Sequence, residues 1–467
     1  MLLFFIGRCF CDYILTGTSL MVINEDTILP DDVKDFKDTI EDLQISDGVL
    51  QISSNAFSEF SKLKTVFIED GVALIGTNAF QKCLLLEEVT LPDTIDTIQS
   101  RLFFGCTGLK TFEFGAKITT INDYAFYNCN QLNHIELPEA LEIIGERAFE
   151  ECQSLDSISF GNNVTSIGNY AFCNCARLKT ISFSNSVRKI GSNVFQKCIG
   201  ITSVVIPSTI ESIGTYTFCG CDSLNTVEIG TGITSISDYL FFQCGSLETI
   251  TYGNDVTFIG HSSFSQCTSL ETFEVKDSVQ TIDTSAFQSC YSLTTIRIGK
   301  GVTSIGASAF ASCTELYCVY FTGNIDPTDS DNIFYSTNVE NVYVTNSYDA
   351  QTFAGVEVIV GTYEECLHDE PAPVVSSSAE EASSQVTSEV TSEVTGETTT
   401  QESSSSETSQ EPQKSNAGVI AAVIIVFVIV AVLAIFLYTK MNCKMPTNEP
   451  RIRPLDEIDD SMYEEIK

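Results

Sequence analysis

The sequence is poor in positive charge. Its 467 residues include 24 lysines and arginines against 62 aspartates and glutamates, which gives a formal net charge of −38 at pH 7. Proteins that bind nucleic acids need a basic surface to neutralise the phosphates, and the repeats described below carry no basic patch. The charge balance therefore excludes nucleic acids as partners.

Histidines and catalytic motifs are also scarce or missing. The three histidines, His134, His261 and His368, are scattered, and none of the 18 cysteines forms a C-x₂-C pair, so the pattern argues against a zinc site. The chain has no glycine-rich phosphate loop, no G-x-S-x-G and no H-E-x-x-H, which are motifs that carry catalysis. These absences predict a protein that is not an enzyme and that uses no metal or cofactor.

What the sequence does contain is a strict repeat of 23 residues. A fixed period sustained over many units is typical of a solenoid. In eleven successive units a cysteine lies three residues after the repeated phenylalanine, and an isoleucine lies five residues before it. The phenylalanines of this repeat are Phe57, Phe80, Phe103, Phe126, Phe149, Phe172, Phe195, Phe218, Phe241, Phe264, Phe287 and Phe310.

Each unit has room for two short strands. In one unit, Leu178 to Phe183 alternates inward and outward residues, and Val164 to Ile167 offers a second, shorter strand. The Ala-Phe-x-x-Cys segment between strands is compact, which favours a helical or 3₁₀ turn. No unit can bury its Phe, Leu and Ile alone, so the units must stack. The sequence predicts a β-rich solenoid of about twelve 23-residue repeats.

The repeated pattern I-G-x-x-A-F-x-x-C-x-x-L-x-x-I-x-[FIL] resembles the BspA-like leucine-rich repeat family. The resemblance covers Leu43 to Phe321, with mild departures such as Ile201 in place of Leu. The family consists of surface proteins of mucosa-dwelling bacteria and anaerobic protists, and the arrangement of this chain is similar to the protist type. The resemblance implies that the repeats are displayed outside a cell to bind other molecules.

Composition divides the rest of the chain. Residues 1–11 are a candidate signal peptide, residues 12–42 an amino-terminal cap, residues 43–321 the repeats, and residues 322–366 a carboxy-terminal cap. Residues 367–416 are rich in Ser, Thr and Glu and have almost no large apolar residue, which predicts a stalk that does not fold.

Residues 417–438 contain no charge and are long enough to cross a hydrocarbon core of about 30 Å as a helix. Lys440, Lys444, Arg451 and Arg453 follow this span, whereas Lys414 alone precedes it. The positive-inside bias places residues 439–467 in the cytosol as a tail. The sequence thus predicts a single-pass type I protein of the plasma membrane, with extracellular repeats.

The amino end supports this topology only in part. The apolar run from Met1 to Ile6 and the small residues Cys9 and Cys11 fit a cleaved signal, but Arg8 interrupts the run and a basic start is missing. A capping strand, or a start at Met21 with an internal helix directing insertion, are the alternatives.

The positions of the repeat cysteines indicate buried free thiols and argue against disulfide bonds between them. Equivalent positions of stacked coils project parallel side chains, which lack the torsion that a disulfide needs. We therefore expect a buried column of free thiols. Cys318 and Cys366 lie outside this column and could bridge the last coil to the carboxy-terminal cap, a pairing that the sequence leaves open.

On the exposed side of the longer strands, a Thr-rich column runs beside a more variable column. In leucine-rich repeat proteins such a surface is where partners dock, and residues that interrupt a Ser/Thr surface with charge or an aromatic ring are suited to anchor them. The candidate ligand-binding residues are Glu113, Glu136, Glu228, Glu274, Arg297 and Tyr320. Asn163 begins a glycosylation sequon.

These features indicate a surface adhesin or recognition receptor that binds proteins or glycans on other cells or matrix. In the tail, Tyr463 and Ile466 form a Tyr-x-x-Ile motif of the kind that clathrin adaptors bind as an extended strand. An endocytic or signalling receptor that acts through this motif is therefore an alternative. A third alternative is a passive coat protein.

Overall fold

The computed structural model describes residues 9–10, 13–23, 26–328 and 332–368. Among these residues, no helix is both long and apolar enough to cross a membrane. The predicted membrane span 417–438 and the predicted tail 439–467 lie outside the described residues, as do residues 369–416 of the predicted stalk. Of the candidate signal peptide, only Cys9–Phe10 is described, as a short strand.

Most coils contribute one strand to a set of parallel pairings that we call the main ladder. Its partners lie 23 residues apart, as where Thr226 lies opposite Ser203, except in the last pair, where Val358 lies opposite Val342. The second and fourth residues of a typical strand are buried, such as Val204 and Ile206. The strands are Ser19–Val22, Asp42–Ile45, Thr65–Ile68, Glu88–Thr90, Thr111–Glu113, Ser157–Ser159, Thr180–Ser182, Ser203–Ile206, Thr226–Ile229, Thr249–Thr251, Thr272–Val275, Thr295–Ile298, Cys318–Phe321, Asn341–Val344 and Val356–Val360.

A second ladder consists of two-residue strands that also pair in parallel. Each of these strands ends on a buried isoleucine, and from Ile75 onward this is the isoleucine of the sequence repeat. The strands are Thr27–Ile28, Gln51–Ile52, Leu74–Ile75, Thr97–Ile98, Thr120–Ile121, Ile143–Ile144, Ser166–Ile167, Lys189–Ile190, Ser212–Ile213, Ser235–Ile236, Phe258–Ile259, Thr281–Ile282 and Ser304–Ile305. The prediction of two short strands in a unit is confirmed.

The expectation of a helical or 3₁₀ turn around the repeated phenylalanine is wrong. In this segment alternate N–H groups bond within the coil and across to the next coil: Gln81 donates to Asn78 O, whereas Phe80 donates to Leu102 O. Asn78 and Lys82 have φ angles of 57° and 56°. These left-handed residues turn every second N–H toward the neighbouring coil, which a helix cannot do.

The phenylalanines form one continuous stack through the core. From Phe57 to Phe334, rings of successive coils have centroids 5.0–5.8 Å apart and planes within 2–18° of parallel. All of the twelve rings named in the sequence pattern are fully buried. Burying a side chain of this size contributes about 2 kcal/mol to stability, so this stack is a large part of what folding gains.

The eleven cysteines of the repeat are buried and free. Each thiol also donates a hydrogen bond to the carbonyl oxygen of the phenylalanine in the preceding coil, with Sγ–O distances from 3.1 to 3.4 Å. The buried thiol column is thus confirmed, but its members are more than apolar filling because they bond one coil to the next.

Parallel pairing continues beyond both ends of the predicted repeats, so the solenoid has about 14 turns rather than twelve. At the amino end, Tyr13–Thr16 pairs antiparallel with Ser19–Val22, and a short helix, Pro30–Val33, leads into a 3₁₀ turn, Lys34–Phe36. The sequence pattern missed these terminal turns because they lack the full set of repeated residues.

The carboxy-terminal end is closed by a strand, a helix and a disulfide. Thr352–Phe353 pairs antiparallel with the last parallel strand, and the helix Tyr363–Leu367 follows. Cys318 and Cys366 form a disulfide with their Cα atoms 5.4 Å apart. The pairing that the sequence left open is therefore present, and it joins the helix to the strand Cys318–Phe321.

The main ladder is interrupted between some neighbouring coils. Its strands do not pair between Thr111–Glu113 and Ser157–Ser159, between Thr180–Ser182 and Ser203–Ile206, or between Thr249–Thr251 and Thr272–Val275. At each unpaired junction we compare the inward-facing residue that follows the third strand residue. This residue is aromatic in one of the two coils and aliphatic in the other. The pairs are Phe114 with Leu137, Leu137 with Phe160, Phe183 with Ile206, and Tyr252 with Val275. The same kind of neighbours also occurs at junctions that do pair, such as Leu91 with Phe114 and Ile298 with Phe321, so this difference in volume does not by itself account for the interruptions.

We expect alkylation to separate the cysteines into two classes. In the native protein, an iodoacetamide probe mapped by mass spectrometry should label few of the thirteen buried free thiols, because reagent cannot reach them. Denaturation without reductant should expose all of them, and Cys318 and Cys366 should label only after reduction. Column cysteines that need reductant before they label would contradict the free-thiol assignment.

We also expect alkaline pH to unfold the repeats steeply. Burial raises the pKa of nine column thiols above their usual value of 9.0, namely Cys106, Cys129, Cys152, Cys175, Cys198, Cys221, Cys244, Cys267 and Cys290. Above pH 9.0 the unfolded thiols ionise while the folded ones keep their protons. Stability is therefore complete below that pH and falls above it, by up to about 1.4 kcal/mol per pH unit for each thiol.

Urea unfolding followed by circular dichroism, from about pH 8 to about pH 10, measures this slope. A variant with Cys198→Ala, Cys221→Ala and Cys244→Ala removes three of these thiols and should lose stability less steeply with pH. An identical slope in the variant and the wild type would assign the alkaline sensitivity to other groups, such as tyrosines.

Candidate functional site

The first and third side chains of the main-ladder strands point away from the core, because side chains alternate along a strand. We call this surface the strip. It contains the Thr-rich column and five of the six residues that the sequence analysis proposed for ligand binding. The sixth, Glu136, stands at the corresponding position of a coil that forms no strand there, and we count it with the strip. Thr111, Thr180, Thr226, Thr249 and Thr272 are exposed on it.

The structure brings three of the predicted residues together. Glu274 lies opposite Arg297, and Arg297 lies opposite Tyr320. Arg297 Nη1 donates to Glu274 Oε1 in an ion pair between neighbouring strands. The other three predicted residues do not join this cluster, so the strip presents several separate features and no single pocket of charged groups.

Glu113 and Glu136 occupy the same position of successive coils, whereas Glu228 lies further along the strip. Glu113 Oε2 accepts a hydrogen bond from Thr90 Oγ1 at 3.3 Å. The side chain of Glu136 is 91% exposed and lies 3.6 Å from His134 Nε2. Glu228 is exposed and stands in register with Val205 and Thr251. These carboxylates are open to a partner that carries positive charge.

Sequence reasoning missed an apolar part of the strip. Phe67 is 47% exposed and Val205 is 59% exposed, and both occupy the same strand position as Glu113 and Glu228. Phe67 could have been found by extending the variable column upstream of Glu113. An exposed aromatic ring on a surface of hydroxyl groups is a typical anchor for a protein partner.

The carboxy-terminal helix covers one end of the strip. Tyr363 contacts Tyr320, with ring centroids 5.7 Å apart, and its hydroxyl lies 3.4 Å from Thr295 Oγ1. Thr295 is only 4% exposed in consequence, unlike the other threonines of its column. The disulfide fixes the helix there, because Cys318 takes the place of a threonine in that column. The open part of the strip therefore ends near Arg297.

A depression of about 350 Å³ lies on the strip where the main ladder is interrupted. It is lined by residues of three neighbouring coils, among them His134 to Leu137, Ser157, Ser159, Thr180 and Ser182. Glu136 and Glu139 add two carboxylates at its border.

A second surface, away from the strip, carries tyrosines and arginines from the turns beside the core phenylalanines. Arg147 lies over the ring of Tyr170 at 4.2 Å, and Tyr216 stacks on Tyr239 at 4.3 Å. The ring faces are thus occupied by groups of neighbouring coils. Arg147 also donates to Glu150, a carboxyl whose pKa is raised by burial. Through these contacts the tyrosine rings link neighbouring coils.

The remaining predicted sites have different outcomes. Asn163 is exposed in its turn, and its side-chain amide donates to Glu139 O at 2.8 Å, while glycosylation of this residue stays a prediction. Tyr463 and Ile466 lie outside the described residues. In the part of the chain that the structure describes, no group of three or more His, Cys, Asp or Glu side chains is placed to hold a metal ion.

Several solved structures are similar to this chain. A leucine-rich repeat protein of Bacteroides ovatus is 26% identical, with 66% of this chain and 92% of that protein covered and a TM-score of 0.45. A leucine-rich cell surface protein of Faecalibacterium prausnitzii is 21% identical, with coverage of 68% and 94% and a TM-score of 0.36. At these TM-scores the likeness does not extend to a shared function.

Among curated proteins, none matches the chain. The family model described as "BspA type Leucine rich repeat region (6 copies)" matches residues 34–156, 142–271 and 234–356. These matches agree with the 23-residue register, the stacked phenylalanines and the two ladders. Because they extend over well above half of the sequence, the chain belongs to the BspA-type leucine-rich repeat family.

Proposed function

We propose that this protein is a cell-surface adhesin or recognition receptor that binds protein or glycan ligands through the strip. The observation that carries the proposal is the strip itself, a continuous exposed surface in which Phe67, Glu228 and the Glu274–Arg297 pair interrupt rows of hydroxyl groups. Solenoids use such extended surfaces to bind partners through many contacts.

The sequence beyond the described residues supports display at a plasma membrane. The apolar residues 417–438, followed by four basic residues, suit an anchor whose carboxy-terminal side faces the cytosol. The Ser/Thr/Glu-rich residues 367–416 suit a stalk that holds the repeats away from the bilayer. In this arrangement the repeats bind extracellular molecules, and the motif at Tyr463 is available for adaptors inside the cell.

Charge on the strip tests the proposed binding surface. In cells that display the full chain, the double variant Glu228→Lys/Glu274→Lys should reduce attachment to target cells or matrix by about tenfold. The reason is that the exposed carboxylates favour a partner with a basic surface. Attachment of the wild type should weaken as salt rises, because salt screens this attraction.

The matched control is Glu142→Lys/Glu211→Lys, which makes the same change of charge at exposed residues of the second-ladder side. This control should attach as the wild type does, and circular dichroism should show that both variants fold. If both double variants attach as well as the wild type does, the strip is not the binding surface, and the passive coat protein becomes the favoured function.

Protease treatment of intact cells tests the proposed topology. Digestion from outside should remove the repeats and leave a small membrane-bound fragment that contains Tyr463, because only the residues after the predicted span are cytosolic. An antibody against the last residues detects this fragment. Repeats that survive digestion of intact cells but not of lysed cells would place them inside and overturn the surface function.

A further inference from the structure

One whole coil of the solenoid takes no part in the main ladder. Among the described residues, His134 to Leu137 form no strand and make no backbone hydrogen bond to either neighbouring coil. The nearest backbone hydrogen bond to the next coil lies one residue earlier, where Asp156 N–H donates to Asn133 O at 3.2 Å. At the other two interruptions of the main ladder, the strands on both sides are formed.

This gap leaves strand edges open on both sides. Thr111–Glu113 pairs only with Glu88–Thr90, and Ser157–Ser159 pairs only with Thr180–Ser182. The second ladder is intact at the same coils, since Thr120–Ile121, Ile143–Ile144 and Ser166–Ile167 pair in register. The coils therefore stay paired at the back, while their main-ladder side is unpaired and carries the depression of about 350 Å³. An open edge presents N–H and C=O groups that an extended chain can pair with.

The side chains around the gap indicate which kind of chain would fit. Ser157 and Ser159 offer small hydroxyl groups, so a backbone can approach closely. Glu136 and Glu139 are exposed, and Glu136 has only the weakly basic His134 beside it. A partner with positive charge on alternate side chains would meet these carboxylates while its backbone faces the strand edge, because side chains of a strand alternate.

We propose that this gap binds an extended basic peptide segment of a protein partner, which pairs through its backbone with the open edge of Ser157–Ser159 or with the main chain of His134 to Leu137. The inference rests on the proposed function and deepens it, since it specifies one partner element for one part of the strip.

The probe is a ten-residue peptide of alternating Lys and Thr with blocked ends, added to the full chain. Hydrogen exchange measured by mass spectrometry should be fast at residues 134–137 without the peptide and at least about tenfold slower with it. A peptide N-methylated at alternate residues, and a peptide of alternating Glu and Thr, should give no protection. Protection by the N-methylated or the acidic peptide, or none by the Lys–Thr peptide, would overturn the proposal.

A second measurement removes the charge that the proposal assigns to the gap. The variant Glu136→Gln/Glu139→Gln should lose most of the protection by the Lys–Thr peptide, and full protection of this variant would overturn the proposal. The control Glu228→Gln/Glu274→Gln, which removes two carboxylates elsewhere on the strip, should keep the protection. Slow exchange at residues 134–137 of the wild type without peptide would show that the ladder is closed and would also overturn the proposal.

The outcomes separate this inference from the proposed function. If the peptide fails while Glu228→Lys/Glu274→Lys still reduces attachment of cells, the peptide site is wrong and the strip remains the binding surface. If the peptide binds as described while that double variant attaches normally, the gap is a peptide site and the wider strip is not the surface used for attachment.

Discussion

Backbone hydrogen bonds between residues 23 positions apart hold each coil to the next, and the other regularities depend on this spacing. They bring equivalent residues of successive coils to about 5 Å from one another, which is close to the 5.0–5.8 Å between the stacked phenylalanine rings. A residue type that suits one coil then suits all of them, since its neighbours above and below are copies of itself. The phenylalanine, cysteine and isoleucine columns follow from this condition.

The regular ladder fails only locally. Strand pairing on the main-ladder side stops at three places. An aromatic residue beside an aliphatic one occurs at each of them, but it also occurs at junctions that pair, such as Leu91 with Phe114. Because the second ladder and the phenylalanine stack continue through the coil at His134, the interruption there is confined to the exposed side, where the depression lies on the strip.

Cysteine has two roles in this chain, and its position decides between them. In the repeated column the thiols point inward, where burial keeps them protonated and each donates to a phenylalanine carbonyl of the preceding coil. Cys318 instead stands in the threonine column, so its side chain points to the outer face and meets Cys366 of the terminal helix. This disulfide holds the helix over Thr295 and Tyr320 and so limits the open length of the strip.

The sequence by itself determined the solenoid, its period, the two strands of most coils, the buried thiol column and the side of the main ladder that faces outward. These features are periodic, and periodicity is visible wherever identical residues recur. Only the tertiary structure decided the turn segment, the terminal coils, the disulfide and the open length of the strip. The residues with a left-handed backbone conformation near each phenylalanine are of mixed type, so no sequence pattern predicted them. The grouping of Glu274 with Arg297 and Tyr320, the cover over Thr295 and the gap at His134 depend on which side chains meet between coils. Such contacts are set by packing across 23 residues or more, which a single repeat does not reveal.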